Sequence, residues 1–272
     1  MSKIRNRGRT DVKKGLVRQG SVVGDRHEQR EERGNLQVIS ERALAREDYD
    51  LSWFHPTAPQ NKIIQSMYEK ECTLVDAPSG CGKSTTVIYQ ALKLLKSGDY
   101  RKIIFIKTPT QLGIDDVGYL GTNEAKFEFP LIAMRSIFTS FMSKEKLEME
   151  EKRGKIEFMF PNWLGGQTFS SSIIIVDEMQ WFTPEMVKLV LERADSSCKV
   201  VCMFDGKQRY ANKQREDGSK ILVDKVTKVE EDGLRYSTEP LFGYVKMSHN
   251  ENRRGALSKR ITEIFDNLDF DK

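Results

Sequence analysis

The stretch DAPSGCGKSTT, residues 76–86, decides how this chain is read. Its end, Gly82-Lys83-Ser84, closes the phosphate-loop pattern G-x-x-x-x-G-K-[ST], and counting back places Ala77 where that pattern has its first glycine. The flanks supply the context the pattern needs. Residues 71–75, ECTLV, read as a short buried strand. STTVIYQALKLLK repeats apolar residues at helical spacing, which predicts a helix from Gly82 to about Lys96. Glycines at 80 and 82 let backbone N–H groups turn inward around a phosphate, and a helix N-terminus adds its positive dipole end. Lys83 supplies a point charge for the β- and γ-phosphates, and Ser84 a hydroxyl for Mg2+. Alanine is the smallest residue with a Cβ and is tolerated at position 77 if φ there is negative. Residues Ala77, Pro78, Ser79, Gly80, Cys81, Gly82, Lys83, Ser84 and Thr85 are thus the expected ATP-binding stretch.

A phosphate loop does not choose among kinases, GTPases and motors. A second motif does more: SIIIVDEMQ, residues 172–180, is a buried strand ending in adjacent acids. Asp177 at the strand's end is placed to hold Mg2+, and Glu178 to orient and polarise an attacking water. Gln180 follows at once. A third candidate, VVCMFDGKQRY (200–210), puts Asp205 and Gln208 just past another strand, on the edge where ligands gather in open α/β sheets. Adjacent acids suit hydrolysis by water, whereas a small-molecule kinase must exclude water. The rival readings are a kinase for a nucleoside or other metabolite, and a non-catalytic protein gated by nucleotide.

Around these motifs the chain alternates short Ile/Val-rich strands with helices: strands at 102–107, 155–160, 172–177, 199–204 and about 242–247, and helices at 60–69, from near Pro184, and from Gly255 to Phe265. That alternation predicts a three-layer α/β/α fold with a mostly parallel sheet. A long helix is expected from about Pro130 to Lys152, with the charge run SKEKLEMEEKR on a solvated face. Residues 108–125 read as a glycine-rich loop, and the stretch to 240 as irregular.

With 272 residues, 38% of them hydrophobic, the chain is long enough for one large α/β domain. The domain is expected over 51–272, after an irregular arm, 1–50, with a short helix near 36–50. The net charge of +4 is uneven: residues 1–20 carry seven Lys/Arg against one acid, leaving −2 on the other 252. The basic arm either binds nucleic-acid phosphates or stays solvated. No apolar run reaches the roughly 18 residues of a membrane span. The start, MSKIRNRGRT, lacks a secretory segment. The four cysteines form no C-x-x-C pair and are expected as thiols in a reducing cytoplasm.

In order along 56–266, these motifs resemble those of the PhoH-type ATPases, in the short form found in phages. TAPQNK (57–62) resembles the family's entry segment T-P-N-Q-K with Gln and Asn transposed. APSGCGKS (77–84) resembles G-P-A-G-T-G-K-T. Residues 105–127 keep Pro109, Gly113 and a G-x-L-G run at 118–121. Residues 160–180 resemble the block M-R-G-R-T-F-x-x-x-x-I-I-x-D-E-A-Q, keeping Gly166, Thr168 and Phe169. FDGKQ (204–208) resembles G-D-x-x-Q, and ENRRGALSKRI (251–261) resembles V-V-R-H-P-L-V-x-R-I. The resemblance implies a RecA-like core related to superfamily 1 helicases, Mg-dependent ATPase activity, and RNA or single-stranded nucleic acid as partner. It places Gln60 near the adenine and Arg254, or Arg253, on the developing charge. Gln180 or Gln208 would sense the γ-phosphate. One RecA-like domain leaves that arginine to act within its own chain or from a neighbour. A neighbour's arginine implies a homo-oligomer, a hexameric ring by family analogy. Candidate nucleic-acid contacts are the basic arm, Thr108, Thr110 and Gln111, and Trp163 or Trp181 as stacking surfaces.

Overall fold

A computed structural model describes residues 47–108, 123–207 and 216–266; the expected arm helix up to residue 46, Pro109, Thr110, Gln111, Gly113, the 118–121 run and Gln208 lie outside them, and residues 47–50 are not helical. Contacts divide the chain into residues 1–46 and a compact unit, 47–272. That unit's packed chain starts at Tyr49, which with Leu51 and Phe54 lies against the core, and the Asp50 N–H donates to the Phe141 carbonyl at 2.7 Å.

In chain order the helices are α1 (Ala58–Glu69), α2 (Lys83–Ser97), α3 (Asn123–Phe138), α4 (Lys144–Lys152), α5 (Pro184–Leu191), α6 (Gly218–Val226) and α7 (Ala256–Asp266). The strands are β1 (Cys72–Asp76), β2 (Lys102–Lys107), β3 (Ile156–Met159), β4 (Ser172–Asp177), β5 (Lys199–Phe204), β6 (Thr227–Val229), β7 (Arg235–Ser237) and β8 (Phe242–Lys246). Six of them form one sheet in the order β3-β2-β4-β5-β1-β8, and every pairing in it is parallel. β6 and β7 make a separate antiparallel ribbon.

Alternation along each strand sends successive side chains to opposite faces. Ile103, Phe105, Ile173, Ile175, Val201 and Met203 join the core under α1 to α4. Ile104, Ile106, Ile174, Val176, Val200 and Cys202 join the core under α5 and α6. A sheet covered on both faces explains why the strand sequences are continuous apolar runs. β5 lies between the loop-bearing strand β1 and the acid-bearing strand β4, so the ends of all three point to one edge.

Three expectations are corrected. The long helix of 130–152 is two helices, because the chain turns at 139–143 and restarts on Ser143, whose hydroxyl accepts the Lys146 N–H at 3.1 Å. The charge run in α4 is not a solvated face: Leu147 and Met149 are buried, and Lys146 and Glu150 form a 2.9 Å ion pair with side chains only 4% and 1% exposed. The described part of the stretch before 240, residues 216–240, holds regular elements. Asp217 caps α6 by accepting the Ser219 and Lys220 N–H groups, and the β6–β7 ribbon follows directly.

Among the described residues no helix is long and apolar enough to cross a membrane. Cys72, Cys81, Cys198 and Cys202 are free, buried thiols.

Candidate nucleotide site

The loop from Ala77 to Gly82 leaves β1 and wraps the start of α2. Gly80 and Gly82 adopt left-handed backbone, φ +85° and +74°, which a side chain would strain. Ala77 is absent from the positive-φ positions and is fully buried, its methyl part of the core, so the missing glycine costs the turn nothing. Pro78 is buried beside it, and Thr85 is half-buried on the first turn of α2. Cys81 is fully buried, its thiol 3.5 Å from the Ser248 carbonyl, and burial pushes its pKa up to about 11.

Lys83 is buried at the base of the loop, with Nζ 3.3 Å from the Ala77 carbonyl. The Ser84 hydroxyl stands 3.5 Å from Asp177 Oδ1, so β4 delivers its terminal acid to the first turn of α2 across 93 residues of sequence. Burial raises the Asp177 pKa, with Glu178 adding to the rise and Lys107 and Lys83 opposing it. Lys107 was not foreseen from sequence. Parallel register sets it opposite Asp177, and its Nζ lies 3.2 Å from Asp177 Oδ2. Glu178 leaves the strand in left-handed backbone, φ +55°, a strained position for a non-glycine residue. Its Oε2 accepts a 2.6 Å bond from Gln180 Nε2. Gln180 is fully buried, and its Oε1 accepts the Asp205 N–H at 3.2 Å. Asp205 in turn accepts the Ser79 N–H at 3.1 Å.

Gln60 ties the entry segment to the loop. Its Oε1 accepts the Thr57 N–H at 3.0 Å and its Nε2 donates to the Cys81 carbonyl at 3.1 Å, so both ends of the amide serve the protein itself. The chain between β8 and α7 lies on the loop as well. The Arg253 N–H donates to the Gly80 carbonyl at 3.0 Å, and Arg254 Nη1 donates to the Ser79 hydroxyl at 2.8 Å. Asn252, also unforeseen, is buried and donates to the Ser79 carbonyl at 3.2 Å. Of the nucleic-acid candidates that are described, Thr108 is buried, Trp181 is half-buried, and Trp163 is 46% exposed with its ring edge-on to Phe160.

A parallel sheet whose inner strand runs into a glycine loop and a lysine-led helix, with an acid-bearing strand two places away, is the architecture of the P-loop NTPases. Within that class residues 55–266 match the family model described as PhoH-like protein, and the chain belongs to that family. It is 25% identical over 166 residues to the PhoH-like protein of Synechocystis sp., covering 61% of this chain and 50% of that one. It is 23% identical over 211 residues to the PhoH-like protein of Bacillus subtilis, covering 77% and 63%. Over 257 residues it is 24% identical to Protein PhoH of Escherichia coli K12, covering 88% and 67%. The chain thus spans about half to two thirds of these curated relatives' length. Among solved structures it is similar to the large terminase of a thermophilic bacteriophage (TM-score 0.45, 10% identity, 79% of this chain and 52% of that one). It is also similar to the Pyrococcus furiosus Hef helicase domain (TM-score 0.40, 14% identity, 70% and 38%).

Proposed function

We propose that the chain binds MgATP and hydrolyses it, and that turnover is coupled to binding or remodelling of RNA or single-stranded nucleic acid in the cytoplasm. The observation that carries the reading is the 3.5 Å approach of Ser84 to Asp177, which joins the phosphate loop to the strand-end acids. A hydroxyl and a carboxylate facing each other are the hard oxygen donors that suit Mg2+. Bound there, the ion would neutralise charge on the phosphate oxygens. Lys107, on the other Asp177 oxygen, opposes the effect of burial and favours the ionised carboxylate.

The protein's own groups supply the remaining parts. Loop N–H groups and Lys83 hold and orient the phosphates. Glu178, next to Asp177, orients a water for in-line attack and takes its proton. Arg254 already reaches Ser79 of its own chain, which supports charge stabilisation in cis. An arginine in that role contributes a rate factor of about 10³–10⁵. Gln208, four residues beyond the end of β5 in sequence, is the candidate γ-phosphate sensor. A ring of copies is the assembly the family resemblance implies, and solution mass with and without ATP tests it.

The nucleic-acid coupling is tested by phosphate release from wild type and Glu178→Gln, each with and without single-stranded RNA or DNA. Release stimulated by the strand and lost in the variant supports the reading. Release indifferent to every strand removes the coupling, and transfer to a nucleoside in place of water replaces the hydrolase with a kinase.

A further inference from the structure

We propose that Asp205 is a nucleotide-sensing positioning residue: its carboxylate occupies a loop N–H that a bound phosphate requires, and expelling it releases Glu178 for work. This inference rests on the hydrolysis reading above.

The register of the sheet places Asp205. Asp76 pairs with Phe204, and the Ala77 N–H donates to the Phe204 carbonyl at 3.0 Å, so the turn after β5 runs alongside the loop. There Asp205 Oδ2 accepts the Ser79 N–H at 3.1 Å, and Oδ1 accepts the Lys207 N–H, also at 3.1 Å. Backbone N–H groups of such a loop are what it offers to phosphate. One N–H cannot serve two anions at once, and a carboxylate repels a phosphate strongly where little water separates them. Asp205 is 5% exposed, so it cannot relieve that repulsion by swinging into solvent while its backbone stays in place. Donation of the Ser79 N–H to phosphate and the Asp205–Ser79 bond are therefore mutually exclusive.

The Asp205 backbone N–H is held by Gln180 Oε1 at 3.2 Å, and the other end of the same amide holds Glu178 Oε2 at 2.6 Å. Gln180 has no exposed surface, so a shift of the N–H that its carbonyl oxygen accepts must rotate or translate the amide. While Asp205 holds Ser79, Glu178 is thus parked on Gln180, its backbone in a left-handed conformation. Phosphate drives Asp205 off Ser79, the turn takes the Asp205 N–H with it, and Gln180 lets go of Glu178. The chain Ser79–Asp205–Gln180–Glu178 makes the water-orienting acid available only when phosphate is present.

The test uses the full chain and its Asp205→Asn variant, which keeps the shape and removes the charge, with Asp205→Ser as a second variant. Affinity is read by titration with a methylanthraniloyl-labelled ATP, turnover by phosphate release, and folding by thermal melting. Asparagine can still accept the Ser79 N–H but carries no charge, so phosphate displaces it more easily and the labelled ATP binds roughly tenfold more tightly. Nothing then repels the turn, Gln180 keeps Glu178, and kcat falls several-fold at a lowered KM. A purely structural Asp205 would lower the melting temperature and weaken binding and turnover together. Unchanged or weaker binding, or an unchanged or raised kcat, overturns the proposal. If wild type binds the labelled ATP yet releases no phosphate, the hydrolysis reading fails, and the affinity comparison still decides whether Asp205 competes for the loop.

Discussion

Replacing Gly80 by alanine attacks the contact between the phosphate loop and the chain that precedes α7. Gly80 sits at φ +85°, and left-handed backbone costs alanine about 1 kcal/mol. The new Cβ would stand 2.6 Å from Asn252 Oδ1 and 2.9 Å from its Cγ, closer than real Cβ contacts allow. Asn252 has little room to yield. It is buried, donates to the Ser79 carbonyl and lies 3.2 Å from the Ser258 hydroxyl, while its Oδ1 accepts the Arg254 N–H at 2.9 Å. Expelling it forfeits its two bonds to backbone groups, the Ser79 carbonyl and the Arg254 N–H, at roughly 1 kcal/mol each, whereas the half-buried Ser258 hydroxyl can turn to water. The sum is about 3 kcal/mol, or roughly 6–12 °C of melting temperature for a domain of this size. The assay is urea and thermal unfolding of Gly80→Ala, Asn252→Ala and the double variant. Both single changes remove the same bonds, so the double variant should be no worse than Gly80→Ala, with a coupling of about 2 kcal/mol. Additive losses, or a Gly80→Ala variant within about 0.5 kcal/mol of wild type, would refute the reasoning.

Three further outcomes follow from other parts of the molecule. Lys146→Met leaves buried Glu150 with only the Tyr49 hydroxyl and Lys155, whose Nζ is 3.9 Å away, and should cost about 3 kcal/mol in urea unfolding, most of it recovered by adding Glu150→Leu. Ala77→Gly removes a fully buried methyl and loosens the chain, so stability should fall by about 1 kcal/mol while ATP affinity stays within about twofold. Burial raises the Cys81 pKa from 9.0 to about 11, so this thiol is protonated in folded and unfolded chains below pH 9 and ionises first in the unfolded chain above it. Its contribution is therefore intact below pH 9 and lost toward pH 11. Iodoacetamide at pH 8 should spare Cys81 in the folded chain and label it in urea.

The parts of the site that were legible in sequence are those where chemistry and local pattern coincide. Gly82-Lys83-Ser84 opens a helix after a buried strand, and Asp177-Glu178 closes another, so each announces itself. Lys107 gave no such signal, because a lysine at a strand end is ordinary until the β2–β4 register sets it against Asp177. Asn252 is one polar residue in a turn, and only the three-dimensional closeness of Gly80 gives it a task. Gln60 is placed near the adenine only by the resemblance; its amide bonds to the Thr57 N–H and the Cys81 carbonyl follow from no local pattern. The run in α4 misled because charged residues conceal a buried stripe: Lys146 and Glu150 are four apart on one face and neutralise each other under the Tyr49 ring. Asp217 ahead of Ile221-Leu222-Val223 was a readable helix start, masked by the glycine and serine that follow the cap.

If the loop at 77–84 and the acids at 177–178 form one hydrolytic site, as proposed, binding and release are separable. Measuring ATP binding and single-turnover phosphate release on the same preparations of wild type, Lys83→Ala and Glu178→Gln tests it most directly. Lys83→Ala should lose binding, whereas Glu178→Gln should keep binding and lose release by a factor of about 10² or more. A Glu178→Gln chain that releases phosphate at the wild-type rate, or a Lys83→Ala chain that binds ATP as tightly as wild type, would contradict it.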